Sequence, residues 1–322
     1  MRIVNIGIDS GKYATKIAVE RDGDIRHGKF KTRMDANVEK MSQDDAESFS
    51  VEFEGKRYLV GKEARTQDFE DTKMKDIHKI ATYTAIASDF TGVGNGDHVN
   101  LAIGCPLTIY ANRDLRMEYK KFIAPQGKEI NIVVNGKRKV FTIDRSYVFP
   151  ESSGVVYLNH EKYKEDLIGV IDIGGLNANC CIYDRGVPKV GTDTMFTLDL
   201  GGNVLSQTAA TMVERTGTGK LADYLIEDMM AKNGLKKGTH AESAKIVHDC
   251  KLEHVQKIYD QCLHHNWNLE YTEIVFTGGA ASWLKDEIIK VFPYYDIDNL
   301  GVDADFKNVD GFLKQLINRV SG

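Results

Sequence analysis

The sequence predicts an α/β protein in which one structural unit occurs twice. The first copy, residues 6–19 (IGIDSGKYATKIAV), is an apolar strand that ends in Asp9, then a short turn and a second β-prone run. The second copy, residues 167–184 (LIGVIDIGGLNANCCIYD), has the same order and places Asp172 at the end of its apolar strand. Apolar strands and amphipathic helices follow each copy. We therefore expect two similar domains that share one cleft.

Composition excludes several classes of protein. A chain of 322 residues is long enough for two substantial cores. Its net charge of -5 argues against a general nucleic-acid-binding face. The five cysteines are odd in number and none has CxxC spacing, so zinc and a disulfide framework are not expected. An apolar signal segment and a membrane-spanning run are both missing from the sequence, which predicts a cytoplasmic protein without membrane partners.

The first half contains mainly strands and hairpins. We expect the following elements in order: a strand at 25–32, a polar insertion at 34–50, a hairpin at 50–60, a helix at 71–90, a strand at 98–104, a helix at 112–123, a hairpin at 129–143, a short strand at 147–149 and a helix opened by 150–154. Asn135-Gly136 is a strong two-residue hairpin signal.

The second half becomes more helical after its hairpin. We expect strands at 187–198 and 273–276, and helices at 203–215, 220–232, 239–264, 283–291 and 308–319. Domain I would comprise residues 1–150 and 303–322, with a small inserted subdomain at about 31–70. Domain II would comprise residues 151–302, with an inserted helical subdomain at about 200–270.

The two Asp–Gly turns have the chemistry of phosphate-binding loops. Successive backbone N–H groups in a tight turn form a concavity that suits an anion. Mg²⁺ keeps several waters, so Asp9 and Asp172 would hold it through water, and Lys16 would act as a point charge on a phosphate oxygen. Each turn on its own is also explained by hairpin structure alone. The remaining turn residues that we assign to phosphate binding are Ser10, Gly11, Lys12, Gly174, Gly175 and Asn177.

Two further stretches point to a nucleotide. Gly278, Gly279 and Ala280 lie between a strand and a helix, where glycine lets the backbone approach a nucleoside. A tight packing turn explains the same residues. Glu151 follows Pro150 at the start of a predicted helix, where a carboxylate can orient water for in-line attack on a terminal phosphoryl group. Helix capping is the structural alternative for Glu151.

The order of these motifs resembles that of the actin, heat-shock-70 and sugar-kinase superfamily over the full length of the chain. The five matching stretches are 8–16, 150–154, 170–177, 276–281 and 308–312. Within this superfamily the chain looks most like ParM-type bacterial actins, on the stretches AIGCPLTIY (102–110) and VFPES (148–152) and on its compact length. The resemblance implies an actin-like fold, a duplicated ribonuclease H-like α/β architecture with two domains around a nucleotide cleft.

The resemblance also implies roles for individual residues. Asp9 and Asp172 would be the metal-water carboxylates, and Glu151 would position the attacking water. Lys16 would contact the β- and γ-phosphates, and Gly278, Gly279 and Ala280 would lie beside the nucleoside. Glu214 and Lys220 fall where the family contacts base and ribose. The first turn departs from the family, since Lys12-Tyr13 replaces small residues: either Lys12 adds a phosphate contact, or Tyr13 points outward and the turn is wider.

The function implied is that of an actin-like nucleoside triphosphatase. ATP or GTP with Mg²⁺ would drive assembly into dynamic filaments that segregate plasmid DNA. The partners would be further copies of the chain and a centromere-binding adaptor, with DNA contacted only indirectly. The alternative is a small-molecule kinase of the same superfamily, but such an enzyme needs a general base for the acceptor hydroxyl, and the first connecting stretch offers Glu151 rather than the usual Asp.

Overall fold

The structure, a computed structural model, describes residues 2–21, 23–38, 47–68, 70, 72–236 and 240–321. It divides into two compact units, Met1–His160 with Phe306–Gly322, and Glu161–Asp305. Much of the polar insertion expected at 34–50 lies outside the described residues. In the part of the chain that is described, no helix is long and apolar enough to cross a membrane.

The first unit is built on one large sheet. Its strands are β1 (Ile3–Ser10), β2 (Ala14–Arg21), β3 (Asp24–Lys31), β4 (Met34–Ala36), β5 (Ser48–Phe53), β6 (Lys56–Gly61), β7 (Asp97–Cys105), β8 (Glu129–Val134) and β9 (Lys137–Pro150). The strand order is β3-β2-β1-β7-β9-β8-β5-β6-β4. Strands β1, β7 and β9 run parallel, so the end of β1 that carries Asp9 lies beside the ends of its neighbours.

Helices cover the sheet of the first unit. They are α1 (Asp76–Ala87), α2 (Leu107–Ala111), α3 (Arg113–Ile123), α4 (Gly154–Leu158) and α10 (Lys307–Ser321), while α5 (His160–Tyr163) leads into the second unit. Helix α1 is apolar on most sides and buries Ile80 and Ile86 in the core beside β1. Helix α10 is strongly amphipathic, and it buries Val309, Phe312 and Leu313 in a cluster with Ala102 and Phe149.

The second unit repeats the core of the first. Its strands are β10 (Leu167–Ile173), β11 (Ala178–Asp184), β12 (Val187–Pro188), β13 (Met195–Leu198), β14 (Glu273–Thr277) and β15 (Tyr295–Asp296). The order β12-β11-β10-β14-β15 matches β3-β2-β1-β7-β9 in sequence of neighbours and in strand directions. The duplication expected from the two Asp–Gly turns is therefore confirmed.

The helices of the second unit enclose a separate core. They are α6 (Gly202–Val213), α7 (Asp223–Ala231), α8 (His240–His264) and α9 (Lys285–Val291), with a π-helical turn at Glu214–Thr218 and 3₁₀ turns at Ala280–Leu284 and Ala304–Phe306. Val213, Met230 and Ile258 are among the residues buried where α6, α7 and α8 pack together.

Several expected element boundaries were wrong. The short strand expected at 147–149 is the end of β9, which continues because it leaves its hairpin with β8 and pairs with β7 as far as Pro150. The strand expected at 187–198 breaks into β12 and β13 around a turn closed by hydrogen bonds to Gly191 O. The helix expected at 71–90 begins at Asp76, because Lys73 has a φ of 50° that a helix does not accept.

Candidate nucleotide site

The first predicted phosphate turn joins β1 to β2. Asp9 and Ser10 are buried at the end of β1, and Asp9 pairs across the hairpin with Lys16. Gly11 has little room for a side chain, because an added Cβ would lie 2.9 Å from Ala14 O. The sequence thus places a carboxylate, a hydroxyl and a lysine on one short hairpin, as predicted.

Lys12 and Tyr13 do not widen this turn. Asp9 pairs with the residue seven positions later, and Asp172 pairs with Asn179 at the same separation, so the two turns have equal length. The Lys31 ammonium lies 3.6 Å from the centre of the Tyr13 ring. The Lys12 carbonyl accepts a hydrogen bond of 2.9 Å from the Gln67 amide. A phosphate contact by the Lys12 side chain stays a prediction.

The second predicted phosphate turn is held by the start of α6. Gly174 N donates to Asn177 O at 2.9 Å, which closes the turn. The N–H groups of Gly202 and Asn203 donate to the carbonyls of Gly174 and Gly175, at 2.9 and 2.7 Å. These N–H groups at the start of α6 therefore brace the turn itself. Gly202 and Asn203 were not predicted as site residues.

The predicted nucleoside loop packs directly against Asp172. Gly278 has a φ of 95°, and an added Cβ would lie 2.4 Å from the Asp172 carboxylate. A Cβ on Gly279 would lie 2.0 Å from the carboxylate of Asp305. Ala280 lies against Gly202, whose added Cβ would be 2.6 Å from the Ala280 Cβ. Two separate predicted stretches of the second unit, 170–177 and 276–281, therefore meet at the end of β10.

Glu214 and Lys220 flank an irregular segment. Glu214 begins the π-helical turn that follows α6, and its carboxylate accepts a hydrogen bond of 2.7 Å from Leu221 N. Lys220 is exposed. Gly217 and Gly219 both have positive φ, so the helical conformation does not continue through this segment. Contacts of Glu214 and Lys220 with base and ribose remain predictions.

Glu151 belongs to a buried charge cluster with Lys73 and Asp9. Glu151 follows β9 on a turn, two residues before Ser153 caps α4, and its backbone N–H donates to Cys105 O at 2.9 Å. The position expected for Glu151 in the opening of a helix was wrong, because Ser152 has a φ of 80°. The Lys73 ammonium donates to Glu151 and lies 3.8 Å from Asp9 Oδ1. Lys73 is only 3% exposed.

The charge on Lys73 is kept by its two carboxylate neighbours. Burial would lower the pKa of Lys73, but the negative charges of Glu151 and Asp9 outweigh it, and the pKa is raised above the ordinary value. One buried cation thus neutralises part of two buried carboxylates. Lys73 was not predicted as a site residue, since it fell inside the helix expected at 71–90, which in the structure begins only at Asp76. Its place in the cluster depends on its positive φ and on long-range folding.

The segment that carries Lys73 also contacts the other residues of the first turn. Gln67 contacts Lys12, as above. His78, on α1, has its Nδ1 3.2 Å from Ser10 Oγ, and its Nε2 3.3 Å from Asp68 Oδ2. Residues 67–78 therefore hold the turn at successive points along its backbone and side chains.

The two predicted connecting motifs meet in the first unit. Helices α4 and α10 cross at Gly154 and Gly311, where an added Cβ on Gly311 would lie 2.2 Å from Gly154 O. The Gly154 N–H donates to the Asn308 side-chain oxygen at 3.2 Å. Two glycines facing each other let the helix backbones touch, which larger residues would prevent.

The carboxylates fit a hydrated divalent cation better than a metal bound directly by protein. Asp9 and Asp172 offer hard oxygen donors, which suit Mg²⁺. Among the described residues, no group of three or more His, Cys, Asp or Glu side chains is arranged to hold a metal ion. Mg²⁺ bound through water by these two aspartates stays a prediction.

Comparison with known proteins decides the fold. Residues 7–154 match the family model described as the N-terminal domain of actin-like proteins, and the archaeal actin homologue Ta0583 aligns with a TM-score of 0.80 at 17% identity, over 98% of this chain and 99% of that one. The chain has an actin-like fold. The resemblance to ParM-type bacterial actins that the sequence suggested is confirmed.

Two further actin-like structures align over nearly the whole length of this chain. The Alp12 filament structure aligns with a TM-score of 0.73 at 24% identity, over 99% of this chain and 100% of that one. The structure of Bacillus thuringiensis ParM with ATP aligns with a TM-score of 0.72 at 16% identity, over the whole of both chains. A search of curated protein sequences finds no significant match.

Proposed function

We propose that this actin-like protein binds and hydrolyses ATP or GTP with Mg²⁺ and assembles into filaments when nucleotide is bound. The observation that carries the proposal is the buried cluster of Lys73, Glu151 and Asp9 at the predicted phosphate end of the site. Structural neighbours supply the context, since one is described as a filament and another as a complex with ATP. In this proposal, a centromere-binding adaptor links the filaments to plasmid DNA.

The two Asp–Gly turns would bind the polyphosphate. Backbone N–H groups of residues 10–12 and 175–177 suit its oxygens, and Lys16 adds positive charge on the first turn. Asp9 and Asp172 would hold the waters of Mg²⁺, which, when bound, supplies positive charge to the phosphate oxygens. The loop of Gly278 and Gly279, which packs against the carboxylates of Asp172 and Asp305, would lie beside the nucleoside.

Glu151 would orient the attacking water and accept its proton. The Lys73 ammonium, in direct contact with Glu151, supplies positive charge beside this buried carboxylate. The Lys73 ammonium carries three N–H donors, so it can donate to Glu151 and to a phosphoryl oxygen at the same time. The pair would therefore combine a base with a cation at the point of attack.

The test is phosphate release and pelleting with Mg-ATP and with Mg-GTP. Glu151→Gln should bind nucleotide normally, release phosphate at least about a hundredfold more slowly and form longer-lived filaments. The matched control is Glu287→Gln, which alters another buried glutamate, one that is paired with His248 at 3.0 Å. Unchanged phosphate release in Glu151→Gln would disprove the role of Glu151. Phosphate transfer to a small molecule, without pelleting, would instead identify a kinase.

A further inference from the structure

We propose that Asp68 and His78 fix the direction of the Ser10 hydroxyl, so that Ser10 meets a bound ligand as a hydrogen-bond acceptor. The ligand group would then be a donor, a water held by the divalent cation, and not a phosphate oxygen. This inference rests on the proposed nucleotide function and specifies what one residue of the first turn does in it.

The three side chains form a chain of contacts inside the first unit. The His78 ring is fully buried at the start of α1, and Ser10 and Asp68 are buried on either side of it. The ring contacts Ser10 Oγ through Nδ1 at 3.2 Å and Asp68 Oδ2 through Nε2 at 3.3 Å. Neither contact depends on a residue outside this unit.

Asp68 determines which ring nitrogen carries the proton. Its carboxylate also receives the Lys75 ammonium at 3.0 Å and the Glu70 N–H at 3.2 Å. Burial opposes ionisation of Asp68, but these hydrogen bonds and nearby positive charges outweigh it, and the pKa of Asp68 is lowered. Since an ionised carboxylate only accepts hydrogen bonds, the facing Nε2 of His78 must be the one that donates.

His78 is neutral at physiological pH, so Nδ1 is then an acceptor. Burial, together with the charge of Lys73, lowers the pKa of His78 to about 4. The Ser10 carbonyl oxygen, 3.1 Å from Nδ1, has no proton to give, so the donor to Nδ1 is the Ser10 hydroxyl. The other acceptor within reach of this hydroxyl is the His78 carbonyl at 3.4 Å, which also points the hydrogen toward α1.

The single hydrogen of Ser10 is therefore used within the protein. The lone pairs that remain on Ser10 Oγ can accept from a water molecule, but they cannot bond to a phosphate oxygen, which is itself an acceptor. Phosphate binding by the first turn would then fall to its backbone N–H groups, and the hydroxyl would accept from the hydration shell of the cation.

The experiment compares nucleotide affinities with Mg²⁺ and with EDTA, by titration calorimetry on the full chain with ATP and GTP. Ser10→Ala should weaken binding by about threefold to tenfold with Mg²⁺ and by less than about twofold in EDTA. His78→Gln reaches the Nε2 position, keeps Asp68 satisfied and loses the contact with Ser10, so it should match Ser10→Ala. His78→Asn reaches the Nδ1 position and should stay within about twofold of wild type.

Further comparisons make the outcome decisive. Adding His78→Gln to Ser10→Ala should cause no further loss, because both remove one interaction. His27→Gln, which breaks a separate Asp–His pair in the first unit, with Asp310 at 2.6 Å, is the matched control and should leave both affinities unchanged. Thermal unfolding without nucleotide shows whether each variant folds; if His78→Gln does not, the Ser10→Ala comparison still decides.

Three results would overturn the inference while wild type still binds nucleotide. These are an equal loss for Ser10→Ala in EDTA, an equal loss for His78→Asn and His78→Gln, and losses that multiply in the double variant. If wild type binds neither ATP nor GTP, the proposed function itself fails, and the inference fails with it.

Discussion

Replacing Lys73 by methionine should destabilise the first unit substantially. The change removes a buried cation 3.8 Å from Asp9 Oδ1 and in direct contact with Glu151. At an effective dielectric constant of about 20, one such pair at that distance attracts by about 4 kcal/mol. Removing one partner of a buried pair costs roughly 3–5 kcal/mol, since the other charge stays buried without compensation. We expect a loss of that size in the free energy of unfolding at pH 8.

The assay is urea unfolding followed by circular dichroism, with tryptophan fluorescence as an internal reference. Both tryptophans, Trp267 and Trp283, lie in the second unit. Lys128→Met is the matched control, because Lys128 forms an exposed ion pair with Glu54 at 3.9 Å, and its loss should leave the midpoint unchanged within error.

The contribution of Lys73 to stability changes with pH in a direction that follows from its raised pKa. The folded-state pKa of Lys73 is raised, so its contribution to stability is fully present below the unfolded value of about 10.5 and is lost only as pH rises through the folded pKa. The difference between wild type and Lys73→Met should thus be constant from pH 7 to 9. A loss below about 1 kcal/mol, or one equal to that of the Lys128 variant, would refute the reasoning.

Three further predictions concern packing, protonation and the nucleoside loop. Gly311→Ala forces a methyl group against the Gly154 backbone and should cost about 1–3 kcal/mol in urea unfolding, whereas Gly301→Ala, with open space around it, should be neutral. His78 has a folded pKa of about 4, below the unfolded 6.5, so stability should fall by about 3 kcal/mol as pH drops from 6.5 to 4; His78→Gln should remove that slope. Gly278→Ala combines a positive φ with a steric clash and should weaken nucleotide binding at least tenfold in calorimetry, and wild-type affinity would contradict the assigned loop.

The sequence was most informative where the signal is local. Asp9 and Asp172 each end an apolar strand before a glycine turn, and both hairpins form as expected because strand alternation and turn chemistry act over a few residues. Gly278 could be placed beside a carboxylate only through tertiary structure, but its strand–turn–helix setting was readable. The local sequence pattern therefore predicted the duplicated fold and the aspartate that precedes each turn.

What escaped prediction depends on contacts between distant parts of the chain. Lys73 contacts Glu151, which is 78 positions away in the sequence. Its positive φ is not visible in the helical pattern of the surrounding residues. Strand β9 could not be read as continuous, because its polar middle is stabilised by pairing with β7 and by a hydrogen bond from Ser146 to Ala124 O. Such contacts are fixed by topology, which a single sequence does not display.

The position of α10 in the first unit has a consequence for synthesis. Residues 161–305 form a unit without help from later residues, but the first unit needs Phe312 and Leu316 to fill its core. At about 5–20 residues per second, roughly seven to thirty seconds separate residue 160 from α10 on the ribosome. The first unit then waits with the apolar surface around Ala102 and Phe149 open, while the second unit can already be complete. Nascent chains arrested before residue 307 should therefore bind hydrophobic chaperones through residues 1–160, although these come first in the sequence.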